Sequence, residues 1–182
     1  MSLKSFSLFA LSIFALVFVM GIGSAVTLAN WNFEDSNLIV DSGTGTLTMN
    51  NANGTASFNL IGNNPSPLVA LSSTNWDPGD NFEISINTVG YQNLVLKFDD
   101  IATTTTGPTE FKIQYSSGGT TFTDLTGSTT STVPIFTTNP MHTFNLSTIT
   151  ALNNNANTKL KITITQPGTG TGNWRIDNLL IE

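Results

Sequence analysis

The chain has 182 residues, 39% of them hydrophobic and only 10% charged, with twelve acidic against six basic side chains and no cysteine. A formal charge of −6 without a Lys/Arg cluster excludes nucleic acid and anionic membrane surfaces as partners, because phosphate binding draws on clustered cations. The missing cysteines exclude thiol catalysis, a thiolate zinc site and disulfide stapling together.

The N-terminus carries Lys4, then runs apolar from Phe6 to Met20 and ends in the small residues Gly21, Gly23, Ser24 and Ala25. A charged start, an apolar stretch and a small-residue site in that order predict a secretory signal cut after Ala25. Residues 1–25 are therefore set apart from a single domain over 26–182, expected to be secreted or held at the cell surface, with no membrane contact after cleavage. The alternative is an uncleaved anchor, since roughly 18 apolar residues begin to span a bilayer.

Along 26–182 the regular stretches alternate with a period of two. Phe82, Ile84 and Ile86 interleave with Glu83, Ser85 and Asn87; Leu94, Leu96 and Phe98 with Val95, Lys97 and Asp99; Phe111, Ile113 and Tyr115 with Lys112, Gln114 and Ser116; Leu160, Ile162 and Ile164 with Lys161, Thr163 and Thr165. Each reads as a strand with one buried and one wet face. Weaker strand patterns cover 27–33, 37–41, 45–50, 55–61, 67–72, 120–124, 142–147 and 174–181, separated by Gly, Pro and Asn clusters at short spacing. "SSGGTTF" predicts a hairpin, and "STITALNNN" a single helical turn capped by Ser147 or Thr148. The stretch 125–141 shows no pattern and reads as a crossover. Many short strands joined by turns predict an all-β protein, a jelly-roll β-sandwich of two antiparallel sheets.

One short motif suggests chemistry. "LIVDSGTGT" (38–46) places Asp41-Ser42-Gly43 after apolar residues, as an aspartic protease does, but such catalysis needs two carboxylates sharing a proton, and D-S/T-G occurs once. The stretch reads instead as a hairpin turn between 37–41 and 45–50. The single His142 has no Ser nucleophile elbow to serve and reads as an exposed strand-edge residue. Nothing pairs two carboxylates among Glu34, Asp35, Asp99, Asp100, Glu110, Asp124 and Asp177 for glycoside hydrolysis. The chain is expected not to be an enzyme.

Two sets of residues remain as site candidates. If the first and last strands are neighbours, "NWNFEDS" and "NWRIDNLLIE" bring Glu34 and Asp35 close to Asp177, a donor set suited to a structural calcium ion. Among the aromatics, Trp31 and Trp174 sit within the terminal strands and read as core. Trp76, in the loop "STNWDPGD", is the candidate for an exposed platform on which a sugar ring stacks, and Tyr91 is expected to anchor a corner through its hydroxyl.

"LANWNFE", "INTVGYQNLVLKFDD", "GPTEFKIQYSSGGTTFTDL", "HTFNLSTITALNNNANTKLKITI" and "GNWRIDNLLIE" together resemble, in order, the jelly-roll ectodomain of secreted bacterial and archaeal surface proteins of the PEP-CTERM or lamin-tail-associated type. The resemblance spans most of 28–182. It implies a fold shared with carbohydrate-binding modules that carry a structural calcium. The expected role is a non-catalytic surface module that binds extracellular polysaccharide. The alternative is a self-associating structural or adhesive protein that pairs with itself or with other envelope proteins through strand edges.

Overall fold

The computed structural model describes residues 25–60, 69–103, 106–132 and 141–182. Most of the expected signal segment, the Asn- and Pro-containing cluster expected to form a turn at 63–67 and part of the 125–141 stretch lie outside these residues. The described residues form β1 (Ala29–Trp31), β2 (Ser42–Gly43), β3 (Thr46–Asn50), β4 (Ser57–Leu60), β5 (Val69–Ser73), β6 (Asn81–Ile86), β7 (Val95–Ala102), β8 (Glu110–Ser116), β9 (Thr123–Asp124), β10 (Thr130–Ser131), β11 (His142–Asn145), a 3-10 turn (Thr150–Leu152), β12 (Thr158–Gln166) and β13 (Trp174–Ile181). All pairings are antiparallel. The first sheet runs β11-β7-β13-β1-β2, with β5 and then β4 joined to the other half of the same β13 edge; the second runs β10-β8-β12-β6-β3, with β9 beside β8. This is the jelly-roll sandwich that the alternation predicts.

The period-two residues supply the core. Phe82, Ile84, Phe111, Ile113, Leu160 and Ile162 of the second sheet face Trp31, Leu71, Leu96, Phe98, Trp174 and Ile176 of the first, all fully buried. β13 keeps this up by means of a bulge. Trp174 and Ile176 point inward, and simple alternation would next turn Asn178 and Leu180 to the core. The register instead shifts between Asp177 and Leu180. Asn178, at φ 50°, absorbs the extra residue, so that Leu179 and Ile181 are the buried ones. A short polar side chain tolerates that left-handed backbone better than the branched residues around it.

Three local expectations change. Residues 37–41 form no strand, and the Asp41-Ser42-Gly43 stretch is not a hairpin turn. Ser42–Gly43 itself pairs with β1, and the chain then crosses to the second sheet at Thr46. A Cβ on Gly43 (φ 79°) would stand 1.9 Å from the Leu28 carbonyl oxygen, so only glycine fits this approach. Asp41 accepts the Asn32 backbone N–H at 2.7 Å, a structural use of its carboxylate. The helical turn is a 3-10 turn preceded by Ile149 with no side-chain cap, so neither Ser147 nor Thr148 caps it. Finally, β10 emerges at Thr130–Ser131 from a stretch without visible pattern, because two residues are too few to show a period.

Candidate functional site

The outward positions of the second sheet form a polar face whose charges are paired. Lys159 and Lys161 reach Glu83 at 2.6 and 3.4 Å, and Lys112 reaches Asp124 at 2.9 Å. Gln114 donates to Asp124, Thr163 to Gln114, Thr165 to Glu110 and Asn50 to Asn81, at 2.6 to 3.0 Å. Partial burial raises the Glu83 carboxyl, but the two lysines outweigh it and hold the group below its ordinary value. Hydrogen bonds from Lys112 and Gln114 do the same for Asp124.

At one end of this face the β8–β9 connection, Ser117 to Phe122, walls a cleft of about 440 Å³. Thr46, Ser85 and Lys159, adjacent across β3, β6 and β12, form its floor. Gly118 and Gly119 form one wall, and Asn87, Ala156 and Asn157 close the end. The hairpin expected from "SSGGTTF" builds this wall, pairing Gln114 with Asp124 and Tyr115 with Thr123. Two glycines leave it thin: a Cβ on Gly118 would meet nothing within 4 Å. Phe122, at the foot of the same wall, is half-buried beneath the Lys161 ammonium, 4.0 Å from its ring centroid, a cation–π contact. Sequence reading did not single out this ring. The alternation of β8, continued round the hairpin, is the signal that puts it on the outer face.

The expected site residues fall elsewhere. Trp76 is not an exposed platform. It is 3% exposed, donates Nε1–H to the Ser73 carbonyl oxygen at 3.0 Å and meets Phe82 and Trp174 edge-on with centroids 5.0 and 5.2 Å away. An indole with its N–H satisfied inside the sandwich plugs the end of the core. His142 is not an exposed edge residue either. Its Nε2 lies 2.6 Å from Asp100 Oδ1, and Asp100 Oδ2 accepts Nε1–H of Trp174 at 2.8 Å, among the rings of Phe98, Phe111 and Phe144. Tyr91 is 42% exposed. Its corner is held by backbone bonds to Thr88 and Asn154, not through its hydroxyl among the described residues.

The terminal strands are neighbours, with Ala29 opposite Ile181, and Glu34 does come within electrostatic reach of Asp177. Asp35 is exposed and makes no contact with them among the described residues, while Asp99 takes its place opposite Asp177. Burial pushes the Asp177 carboxyl up to about 7; the Asn178 backbone N–H opposes the rise, and the charges of Asp99 and Glu34 add to it. Asn178 Nδ2 bonds Asp99 at 2.8 Å. Among the described residues no group of three or more His, Cys, Asp or Glu stands in metal-holding geometry, so a cation here would have to draw the exposed Glu34 inward.

No family model and no curated protein matches the chain. Solved structures do. The fold is similar to that of the CBM22-1 xylan-binding domain of Paenibacillus barcinonensis Xyn10C, with a TM-score of 0.58 and 11% identity over 89% of this chain and 97% of that one. It is similar to the C-terminal family 22 carbohydrate binding module of Clostridium thermocellum Xyn10B, at 0.56 and 14% identity over 85% and 92%. An exo-β-agarase matches at 0.60 and 13% identity over 87% of this chain, which spans 25% of the agarase chain. At such identities the likeness is one of fold, and the fold is the β-sandwich of carbohydrate-binding modules.

Proposed function

We propose that the chain is a non-catalytic module that binds neutral polysaccharide on the outer face of its second sheet, in the cleft under the 117–122 hairpin. The observation that carries this reading is a cleft of about 440 Å³, within the usual range for ligand sites. Its lining is largely apolar, broken by the hydroxyls of Thr46, Ser85 and Thr120 and the amides of Asn87 and Asn157, and its one cation, Lys159, is already paired with Glu83. Such a surface offers hydrogen bonds to sugar hydroxyls and no spare charge for an ionic ligand. The fold shared with xylan-binding modules supports the ligand class. The leader-like residues 1–25 support export, so the glycan is extracellular or part of a cell surface.

The test is co-sedimentation of the full chain with insoluble xylan and agarose, beside Gly118→Leu, which puts a bulky side chain on the cleft wall where a Cβ meets no neighbouring atom. Retention by the wild type and its loss in the variant is the expected result. Equal behaviour of the two proteins sinks the cleft as the site. Trp76→Ala is unsuitable here, since it removes core. Pelleting without polymer would instead support self-association, for which β3 is suited: it has one strand neighbour among the described residues and exposes Thr46, Thr48 and Asn50.

Calcium belongs to the same proposal in altered form, with Glu34, Asp99 and Asp177 as carboxylate donors and no part for Asp35. Bound, it would neutralise their mutual repulsion and tie the Glu34 loop to β13. Its test is a thermal melt in calcium and in EDTA: a rise of several degrees that Asp177→Asn abolishes supports it, and superimposable melts remove it.

A further inference from the structure

A second cleft, of about 470 Å³, opens at the loop end of the sandwich, over Trp76. The loop after β5 supplies Asn75 and Asp77, the loop after β3 supplies Asn53, and the connection from β12 to β13 closes the other side with Pro167, Gly168 and Gly170. None of these residues belongs to the cleft under the β8–β9 hairpin. Its polar wall is held before any ligand arrives. Asn53 Nδ2 donates to Asp77 Oδ2 at 2.6 Å, Asn75 Nδ2 to the Asn53 carbonyl oxygen at 3.2 Å, and the Asp77 N–H to Asp80 Oδ2 at 2.8 Å. Asn75 sits at φ 55°, which fixes its side chain from a turn that few residues adopt. Trp76, pinned by Ser73 and two aromatic rings, gives a rigid floor.

Each of the two asparagine bonds takes one of the two N–H groups of its amide, so the wall keeps an N–H on Asn53 and on Asn75 beside the Oδ1 atoms of Asn53, Asn75 and Asp77, which enter none of the hydrogen bonds among the described residues. A wall that offers both acceptors and donors calls for a ligand that does both, as a hydroxyl does. Asp77, with Asp80 behind it, repels anionic sugars and phosphates. A hard cation would find a single lining carboxylate, where calcium takes 6 to 8 oxygens. A short neutral saccharide, whose hydroxyls both donate and accept, suits a space of this size. We infer that this end cleft is a second, independent binding site for a neutral sugar.

The experiment is a titration of the full chain, in EDTA, with xylohexaose and separately with agaro-oligosaccharide, followed by backbone and indole amide NMR shifts. The expected result is movement of the Gly168, Gly170 and Trp76 indole signals that persists in Gly118→Leu and disappears in Asn75→Gly, a variant that keeps the left-handed turn while removing the amide. Shifts confined to Gly118, Gly119 and Lys159, or no shift at Gly168 and Gly170 with either sugar at millimolar concentration, overturn it. So does a response of these signals to calcium alone. A responsive end cleft beside a silent hairpin cleft would sink the proposed function and leave this inference standing.

Discussion

On the outer face of the β10-to-β3 sheet every lysine has a carboxylate within 3.4 Å, and all these side chains reach water. The outer face of the other sheet removes Ala70, Ser72, Ile101, Asp99 and Asp177 from solvent; Lys97 still pairs with Glu182 there at 2.6 Å, but Asp99 and Asp177 face each other across β7 and β13. On the inner side of that same sheet Asp100 is buried with His142 and Trp174. One sheet keeps its charges wet and balanced, which leaves it free to bind a neutral ligand; the other commits its charges to holding strands together. Stability and its pH dependence should therefore respond to substitutions in the first sheet, and ligand retention to substitutions in the second.

The largest effect is expected at Asp100. Alanine there leaves the Trp174 N–H and the His142 ring without their acceptor inside the core, at a cost of about 3–5 kcal/mol, read as a lower urea midpoint. Asp100→Asn keeps an oxygen for Trp174 and should recover much of the loss. A Glu83→Ala loss as large as that of Asp100→Ala would erase the distinction between the two sheets. Next comes Asp177. Its folded value of about 7 lies above its ordinary 3.8, so the folded state holds the proton more tightly. The associated stability is present below about pH 4 and is lost as pH rises through 7. Relative to the wild type in EDTA, Asp177→Asn should gain on the order of 2–4 kcal/mol between pH 4 and pH 8. Parallel stability curves for the two proteins would show that Asp177 is not strained by its neighbours.

Much of this division is written in the alternation. Residues 82–86, 94–98, 111–115 and 160–164 showed which side chains face inward, and extending Leu96 and Phe98 by one further step of two reaches Asp100. Its inward position was thus legible, although a carboxylate at a core position contradicts the hydrophobic pattern and invites a loop reading. The bulge at Asn178 was not legible, because it depends on the register of β7. Nor was the fate of Trp76: a loop indole is exposed or buried according to which distant rings meet it, here Phe82 and Trp174. The neighbouring terminal strands were anticipated from the paired "NWNFE" and "WRIDN" ends, yet which of Glu34 and Asp35 turns toward β13 depends on the path of a loop that carries no period.

The smallest effects should come from the exposed network, and these are the most informative about the ligand. Glu83→Gln removes the shared partner of Lys159 and Lys161. Pairs that still reach water contribute about 0.2–1 kcal/mol each, and these are partly exposed, so the melt should move little. Retention on a neutral polysaccharide should survive the substitution and should also be unchanged between about 50 and about 500 mM salt, because hydrogen bonds to hydroxyls carry no net charge to screen. An ionic ligand behaves differently on both counts: screening weakens it, and freeing two lysines by Glu83→Gln tightens the binding of an anion. Salt-sensitive retention that rises in Glu83→Gln would mean that the lysines, and not the Thr46 and Ser85 hydroxyls of the cleft floor, read the ligand. The pairing of charges on this face would then be a resting state that the ligand breaks.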